Sequence, residues 1–593
     1  MKKRIGASVL LVLSTCLLLT CGRKETAAGE GKPAGKNGSL SILAGSENES
    51  LQQILERFAR QNDIALDVKY KGSVDIMLTL QDPSATVDAV WPAASIWTSL
   101  GDTRKRVKNA ESIMRSPIVF AVKKQVAQRL GWIGRDVTVA DILSAAEKGQ
   151  VRYMMTSASQ SNSGASAYLG YLSSFSGSPD VLTSKQLEDP AVGEKVRRLL
   201  GTVNRSAGSS GWLKDLFLDK YDQYDGMVNY ESIVIEANRE LARRNVDPLY
   251  AIYPVDGLAI ADYPLGYVDR GDAQKAALFQ KLQQYLLSPG VQQELLAAGR
   301  RVGVAAQDAS RADKATFNPD WGIDLGRVLT PIRYPSPEVI LQALTLYQTS
   351  FRKPSITVYC LDYSGSMRDK GEDDLKGAMR ILLDQPTASK YLLQTSARDI
   401  TIVIPFSDRI RNTWTAEGND PKTLGDLLSE INSSQAEGGT DIFTPVLEGR
   451  ELIRKHPNLE GYSPAIILMT DGRSEDGLSL DDFKERWSRG RTDIPIYSIT
   501  FGNAEESQLK ELASLSSGRV FDGRQDLVRA FRQARGYTTE WSMIPRSRRA
   551  RPATSCRASW PRPRSGPRCS RCTSRSSLPS APRLRSTAAR VCS

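Results

Sequence analysis

Short apolar runs, each cut off by a polar loop and followed by a stretch of helical period, recur from Ser39 to Tyr537. In the first half "LSILAG" reads as a strand. "SLQQILERFARQN" follows with Leu51, Ile54, Leu55 and Phe58 on one helical face, and "IALDVKYKG" alternates like a second strand. Further on, "AQKAALFQKLQQYLLSPGVQQELLAAGRR" predicts two helices broken at Ser288-Pro289-Gly290. In the second half the strands "SITVYCLD", "DITIVIPFSD", "PAIILMTDG" and "IPIYSITFG" are interleaved with helical segments such as "DDLKGAMRILLDQ" and "GGTDIFTPVLEGRELIRK". Strands that alternate with helices in this way build a sheet covered by helices, so the fold class is α/β. A chain of 593 residues exceeds one core and suggests about two to four domains. The halves meet in 316–352, a turn-rich connector with "NPDWG", "PIRYPSP" and one helical stretch, "EVILQALTLYQTS".

Asp362, Ser364 and Ser366 stand at alternate positions in "LDYSGSMRDK", directly after a largely apolar strand. All three suit a loop that offers oxygen atoms better than they suit a buried strand. Thr440 in "GGTD" and Asp471 in "MTDG" lie in two further polar loops. In an open α/β sheet, sites form at the carboxyl ends of strands, so sequence-distant loops can converge there. Two carboxylates and three hydroxyls are hard oxygen donors, which suit Mg²⁺ or Mn²⁺. Neutral hydroxyls leave such a metal electrophilic, with a position open to an acidic side chain of a partner. Any one of these loops alone is no more than a helix cap. Five positions in three loops make a metal site the better reading.

These five positions resemble the von Willebrand factor A (VWA) domain and its metal-ion-dependent adhesion site, with the likeness covering 353–537. The resemblance implies a doubly wound, Rossmann-like domain in which Asp362, Ser364, Ser366, Thr440 and Asp471 hold the ion. The segment 39–315 resembles the extracellular solute-binding proteins of bacterial transport systems, a two-lobed, type II periplasmic-binding-protein-like fold. That likeness implies three ligand-facing segments: Ser46, Glu47 and Asn48 in "GSENES"; Ser161, Asn162, Ser163 and Gly164 in "SNSGAS"; and Tyr230 and Glu231 in "MVNYES". Free N–H groups and hydroxyls at a helix start suit an anion. Glu47 and Glu231 would oppose an oxyanion, which leaves another small solute open. The same serines and asparagines also serve as ordinary caps and turns.

The ends of the chain differ from its body. "MKKRIGASVLLVLSTCLLLTCGRKE" has a basic start, a short apolar stretch and a cysteine, the pattern of an export signal. "LLTCG" resembles a bacterial lipoprotein box with Cys21 as the acylated residue, although Thr20 departs from the small residue usual there. Cys16 follows a shorter apolar run and fits less well. The expectation is a signal peptide over 1–21 and a polar, Gly-rich tether over 22–38. Cys360, inside an apolar strand, reads as a small buried hydrophobe. The formal net charge of +12 resides in the C-terminal part, because residues 541–593 hold thirteen arginines and no acidic residue. The remaining body is balanced to within one charge, which argues against a nucleic-acid partner. Within the tail, Cys569 and Cys572 have the spacing of half a zinc site, but neither Cys556, Cys592 nor a histidine completes it. The tail, 538–593, is expected to be disordered. Its Arg, Pro, Ser and Ala alphabet favours a GC-rich gene read out of frame over an evolved basic tail that binds nucleic acid or anionic lipid.

No P-loop, zinc spacing or dinucleotide fingerprint is present, and the single histidine, His456, falls at a helix end. The sequence therefore reads as a binding protein and not an enzyme. It is expected to be exported and lipid-anchored at the cell surface or in the periplasm. Its VWA domain would hold Mg²⁺ or Mn²⁺ and take a protein partner through an acidic residue, beside a module for a small solute. One alternative is the solute receptor of an ABC-type transport system with an accessory VWA domain. A subunit resembling those of metal chelatases is a third, which export counts against.

Overall fold

The computed structural model describes residues 37–538, apart from 304–307, 309, 490–493, 503, 505, 525 and 526. Cys21, the tether up to residue 36 and the arginine-rich tail from residue 539 lie outside the described residues. Among the described residues no helix is long and apolar enough to cross a membrane.

The chain first lays down β1 (Ser39–Gly45), β2 (Ala65–Lys71), β3 (Ala89–Trp91) and β4 (Val107–Ser112). It then leaves to build a second sheet from β5 (Ser116–Lys123), β6 (Tyr153–Thr156), β7 (Arg205–Ala207), β8 (Gly226–Tyr230), β9 (Leu249–Ile252) and β10 (Ile260–Ala261). It returns as β11 (Pro264–Val268), which inserts antiparallel between β3 and β4 to give the order β2-β1-β3-β11-β4. The second sheet runs β10-β5-β8-β6-β7, with β9 also paired to β5. The chain thus passes between the sheets twice, and two lobes result.

Local sequence explains the flanking helices. The first α-helix, Gln52–Asn62, buries Ile54, Leu55 and Phe58 on one face. It stops at Asp63, whose left-handed φ of 49° closes the helix. The stretch ahead of it, Ser46–Leu51, is a 3-10 turn, so Leu51 belongs to the turn and not to the helix face the periodicity suggests. The predicted break near residue 288 is present. Asp272 caps the Ala273–Leu286 helix by accepting from the Gln274 and Lys275 N–H groups, and Pro289 opens the Pro289–Ala297 helix.

The connector helix Pro337–Leu346 continues as a π-turn, Tyr347–Phe351. There the buried Gln348 amide donates to Ser159 at 2.7 Å and to the Leu392 carbonyl at 2.6 Å, tying the first half of the chain to the second.

The third sheet contains β12 (Ser355–Asp362), β13 (Ile400–Phe406), β14 (Trp414–Glu417), β15 (Ser463–Thr470), β16 (Ile496–Thr500) and β17 (Arg519–Asp522). Its order is β14-β13-β12-β15-β16-β17, and only β14 is antiparallel. Every residue of β12, β13 and β15 is buried, as expected for parallel strands with both faces covered. Cys360 is among them, and burial pushes its thiol up. At the opposite end of the sheet from the loops described below, Asp399 is paired with Arg352 and Arg535, all three buried. After β12 the chain moves to one side for β13 and β14, then crosses to the other for β15. This reversal opens a crevice at the carboxyl ends of β12 and β15.

Candidate functional site

Asp362 is the last residue of β12 and is fully buried. One of its carboxylate oxygens accepts from the Ser364 N–H at 2.8 Å, the other from the Thr470 hydroxyl at 2.5 Å. The Ser364 and Ser366 hydroxyls are 3.0 Å apart, and Ser366 donates to Asp471 at 2.8 Å. Asp471 directly follows β15. Thr440 reaches the same place from the third loop. A Cβ built on Gly472 would lie 3.7 Å from the Thr440 hydroxyl and 3.8 Å from that of Ser366. Backbone hydrogen bonds fix the loops to one another: Gly365 N–H to the Gly438 carbonyl at 2.9 Å, and Asp476 N–H to the Thr440 carbonyl at 3.0 Å. The structure therefore brings all five residues to one crevice.

Burial pushes the Asp362 carboxyl up to about 6, against the hydrogen bonds from Thr470 and Ser364, and the charge of Asp471 adds to the rise. Asp471 is raised as well, chiefly by burial. Among the described residues no lysine or arginine forms an ion pair with either carboxylate, so it is hydrogen bonds, from Thr470, Ser364 and Ser366, that offset their repulsion. Nor do three or more His, Cys, Asp or Glu side chains cluster anywhere among the described residues. The donor set here is hydroxyl-rich and all oxygen, which fits a hard divalent cation such as Mg²⁺ or Mn²⁺ and does not fit zinc or copper.

The second set of candidate residues lies between the two lobes of the first half. Ser46, Glu47 and Asn48 form the 3-10 turn after β1. Ser161 caps, and Asn162, Ser163 and Gly164 open, the Asn162–Phe175 helix. Tyr230 ends β8, and Glu231 opens the Glu231–Arg243 helix. Most of these polar atoms are already engaged. Ser163 is 2.8 Å from the Thr156 hydroxyl and 2.7 Å from that of Ser210, which is also 3.1 Å from Ser161. Asn162 accepts from Trp97 at 2.7 Å and donates to Tyr230 at 3.1 Å. Glu231 takes a bidentate pair from Arg301 at 2.9 and 2.7 Å and a further hydrogen bond from Tyr253. Gly164 serves close packing, since a Cβ there would lie 2.1 Å from the Thr156 carbonyl oxygen.

The unsatisfied atoms point to a different ligand chemistry from the anion that the helix starts suggest. Glu47 Oε1, Asn48 Oδ1 and Gln160 Oε1 are buried acceptors with no hydrogen-bond partner. Burial pushes the Glu47 carboxyl up to about 7, with Ser46 and Arg300 pulling the other way. Glu47 and Gln160 border a cavity of about 830 Å³ with walls from both lobes.

Comparison with known proteins assigns both halves. Residues 40–301 match the family model of the bacterial extracellular solute-binding protein, and residues 358–527 match that of the von Willebrand factor type A domain. The chain joins a solute-binding-protein domain to a VWA domain. Solved structures with similar folds include the sulfate-binding protein SubI from Mycobacterium tuberculosis H37Rv, at 16% identity and TM-score 0.37, covering 50% of this chain and 94% of that one. The ferric binding protein from Campylobacter jejuni is similar at 14% identity and TM-score 0.37, covering 52% and 98%. A von Willebrand factor type A protein from Catenulispora acidiphila matches at 18% identity and TM-score 0.27, covering 31% of this chain and 42% of that chain. No curated protein matches the sequence.

Sequence reasoning missed several residues that shape these sites. Thr470 orients Asp362, and Asp476 accepts from the Thr440 N–H at 3.1 Å. Trp97 fixes Asn162 from the other lobe. Thr470 sits beside Asp471 in "MTDG" and could have been singled out by adjacency; Asp476 and Trp97 carry no local signal.

Proposed function

We propose that this chain is an exported, lipid-anchored binding protein whose VWA domain holds a divalent cation and takes a protein partner through it. The observation that carries the reading is the convergence of Asp362, Ser364, Ser366, Thr440 and Asp471 at the sheet's switch point, with two carboxylates that form no ion pair among the described residues. Ser364, Ser366 and Thr440 would offer neutral oxygens, and Asp362 and Asp471 would supply the charge. When bound, the ion would supply an electrophilic position for a partner's carboxylate. Buried hydrogen bonds from Thr470 and the Ser364 N–H hold Asp362 in place. Anchoring through Cys21 rests on the sequence pattern; labelling of cells with a clickable fatty acid should tag the protein and should be lost in Cys21→Ser, and normal labelling of that variant would remove the claim.

Calorimetric titration of the full chain with Mg²⁺ and with Mn²⁺ tests the metal site. The wild type is expected to bind one ion, and at a hundredfold excess over Kd the folded VWA domain gains about 2.7 kcal/mol by mass action. Asp362→Ala should abolish this gain. Thr440→Ala should weaken it less, because water can replace one neutral hydroxyl. Absence of binding at millimolar metal would overturn the reading.

The cavity of about 830 Å³ between the lobes supports a second role, holding a small solute, and with it the alternative of a transport receptor with an accessory VWA domain. Solute binding that persists unchanged in chelator, with no metal-dependent partner, would favour that alternative.

A further inference from the structure

The C-terminal helix of the VWA domain, Leu527–Thr538, is fixed to its own sheet on one side. Phe531 stacks on Tyr359 of β12 with ring centroids 5.9 Å apart. Arg535 donates to Thr357 and Tyr359 at 3.1 and 3.2 Å. On its other side the helix enters the space between the two lobes of the solute-binding domain. Arg532, three residues before Arg535, is ion-paired with Asp75 of the first lobe, and both side chains are buried. The main-chain carbonyl of Arg532 accepts from the Gln160 amide of the second lobe. The start of β17 and the turn before it make two further contacts with that lobe: Arg205 donates to the Ser517 carbonyl at 2.8 Å, and Arg519 lies 5.9 Å from the Trp212 ring centre. One helix therefore touches both lobes, and Arg529 and Arg532 form part of the wall of the interlobe cavity.

The chemistry of that cavity matches the group placed in it. Among its buried atoms without a hydrogen-bond partner, Glu47 Oε1 and Gln160 Oε1 are acceptors and Arg532 Nη1 is a donor, and Asp75 supplies a carboxylate. The intruding group is a guanidinium, whose planar fork of donors pairs with carboxylates better than any other cationic side chain. The lobes are also closed on each other at this point, since a Cβ on Gly72 of the first lobe would lie 2.7 Å from the Gln160 carbonyl oxygen of the second.

We propose that Arg532 is an internal occupant of the solute cleft, standing where the guanidinium of a small solute binds, so that solute binding and docking of the VWA domain compete. This rests on the reading that the first domain binds a solute and names that solute's class. In the docked state the lobes are held shut by the chain's own helix. A guanidinium solute that takes Asp75 releases the VWA domain and exposes a surface that docking covers. The two modules are thereby coupled: the solute controls how far the VWA domain can reach.

The test uses the full chain and two readouts. Small-angle X-ray scattering reads docking as the radius of gyration, and calorimetry reads binding of agmatine, with putrescine and sulfate as the amine and anion arms. The wild type should be compact and should expand on adding agmatine. Arg532→Ala should be expanded without ligand and should bind agmatine at least tenfold more tightly than the wild type. Asp75→Asn should be expanded and should bind agmatine at least tenfold more weakly than Arg532→Ala. An unchanged VWA melting transition in Arg532→Ala excludes simple misfolding, and Arg532→Lys should stay compact. An Arg532→Ala chain as compact as the wild type overturns the proposal. Equal agmatine affinity in wild type and Arg532→Ala overturns the internal occupant while leaving the solute-binding reading intact. Failure of every variant to bind agmatine, or tighter binding of sulfate, overturns the guanidinium assignment.

Discussion

Asp399→Asn should unfold the VWA domain at markedly lower temperature, although it changes one atom of a side chain at the opposite end of the sheet from the proposed metal site. Asp399 is fully buried between Arg352 and Arg535, whose side chains are 0% and 2% exposed. It also accepts N–H bonds from Ser355 at 2.7 Å and Ser396 at 2.8 Å. Removing the charge leaves two guanidiniums buried without a counter-ion, which costs about 3–5 kcal/mol. For a domain of this size that is a fall in Tm of roughly 6–20 °C. The pH dependence gives an independent check. Burial opposes ionisation of Asp399, but Arg352 and Arg535 together with the Ser355 N–H outweigh it and hold the carboxyl well below the usual range. A depressed folded value means that the stabilisation is present above the unfolded carboxylate value, about 3.9, and is lost as pH falls below it. Calorimetry of both full chains from pH 7 to pH 2 should therefore show a gap that is full at neutral pH and narrows below about pH 4. A gap under about 1 kcal/mol at pH 7, or one that does not change on acidification, would mean that the Asp399 charge does not stabilise the domain through Arg352 and Arg535.

Glu47→Gln tests the buried carboxyl in the solute cleft. Its folded value is raised to about 7, so ionisation costs stability progressively as pH rises from the ordinary carboxylate range through neutrality. The variant should melt with the wild type at pH 4 and above it at pH 8, by up to about 3 kcal/mol, in a thermal melt of the solute-binding domain. Gly164→Ala should destabilise that domain by about 1–3 kcal/mol, or more if the helix cannot shift, because the new methyl would meet the Thr156 carbonyl oxygen. Chemical denaturation checks this, and a neutral effect would mean that the helix start is free to move.

The parts of this fold that were legible in the sequence are those fixed by neighbours along the chain. Strand β12 is a largely apolar run before Asp362, and the helix break needs only Pro289 and the cap at Asp272. The three oxygen-bearing loops were readable because their residues are conspicuous beside apolar strands. What was not legible depends on pairing across long separations. Nothing in "PLGYV" says that β11 returns to the first sheet and inserts between β3 and β4. Glu231, expected to face a ligand, is paired with Arg301, and Asn162 bridges Trp97 and Tyr230, because a polar side chain in a sequence does not reveal which distant partner satisfies it. The ion pair of Asp75 with Arg532 is of the same kind, joining two domains through residues that look ordinary in their own segments.

The most direct test of the metal site is a crystal of the full chain grown in millimolar Mn²⁺, with diffraction recorded at the manganese absorption edge. One anomalous peak is expected in the crevice at the carboxyl ends of β12 and β15, within coordination distance of the Ser364 and Ser366 hydroxyls and beside Thr440, Asp362 and Asp471. Absence of a peak there, with manganese bound elsewhere or nowhere, would contradict it.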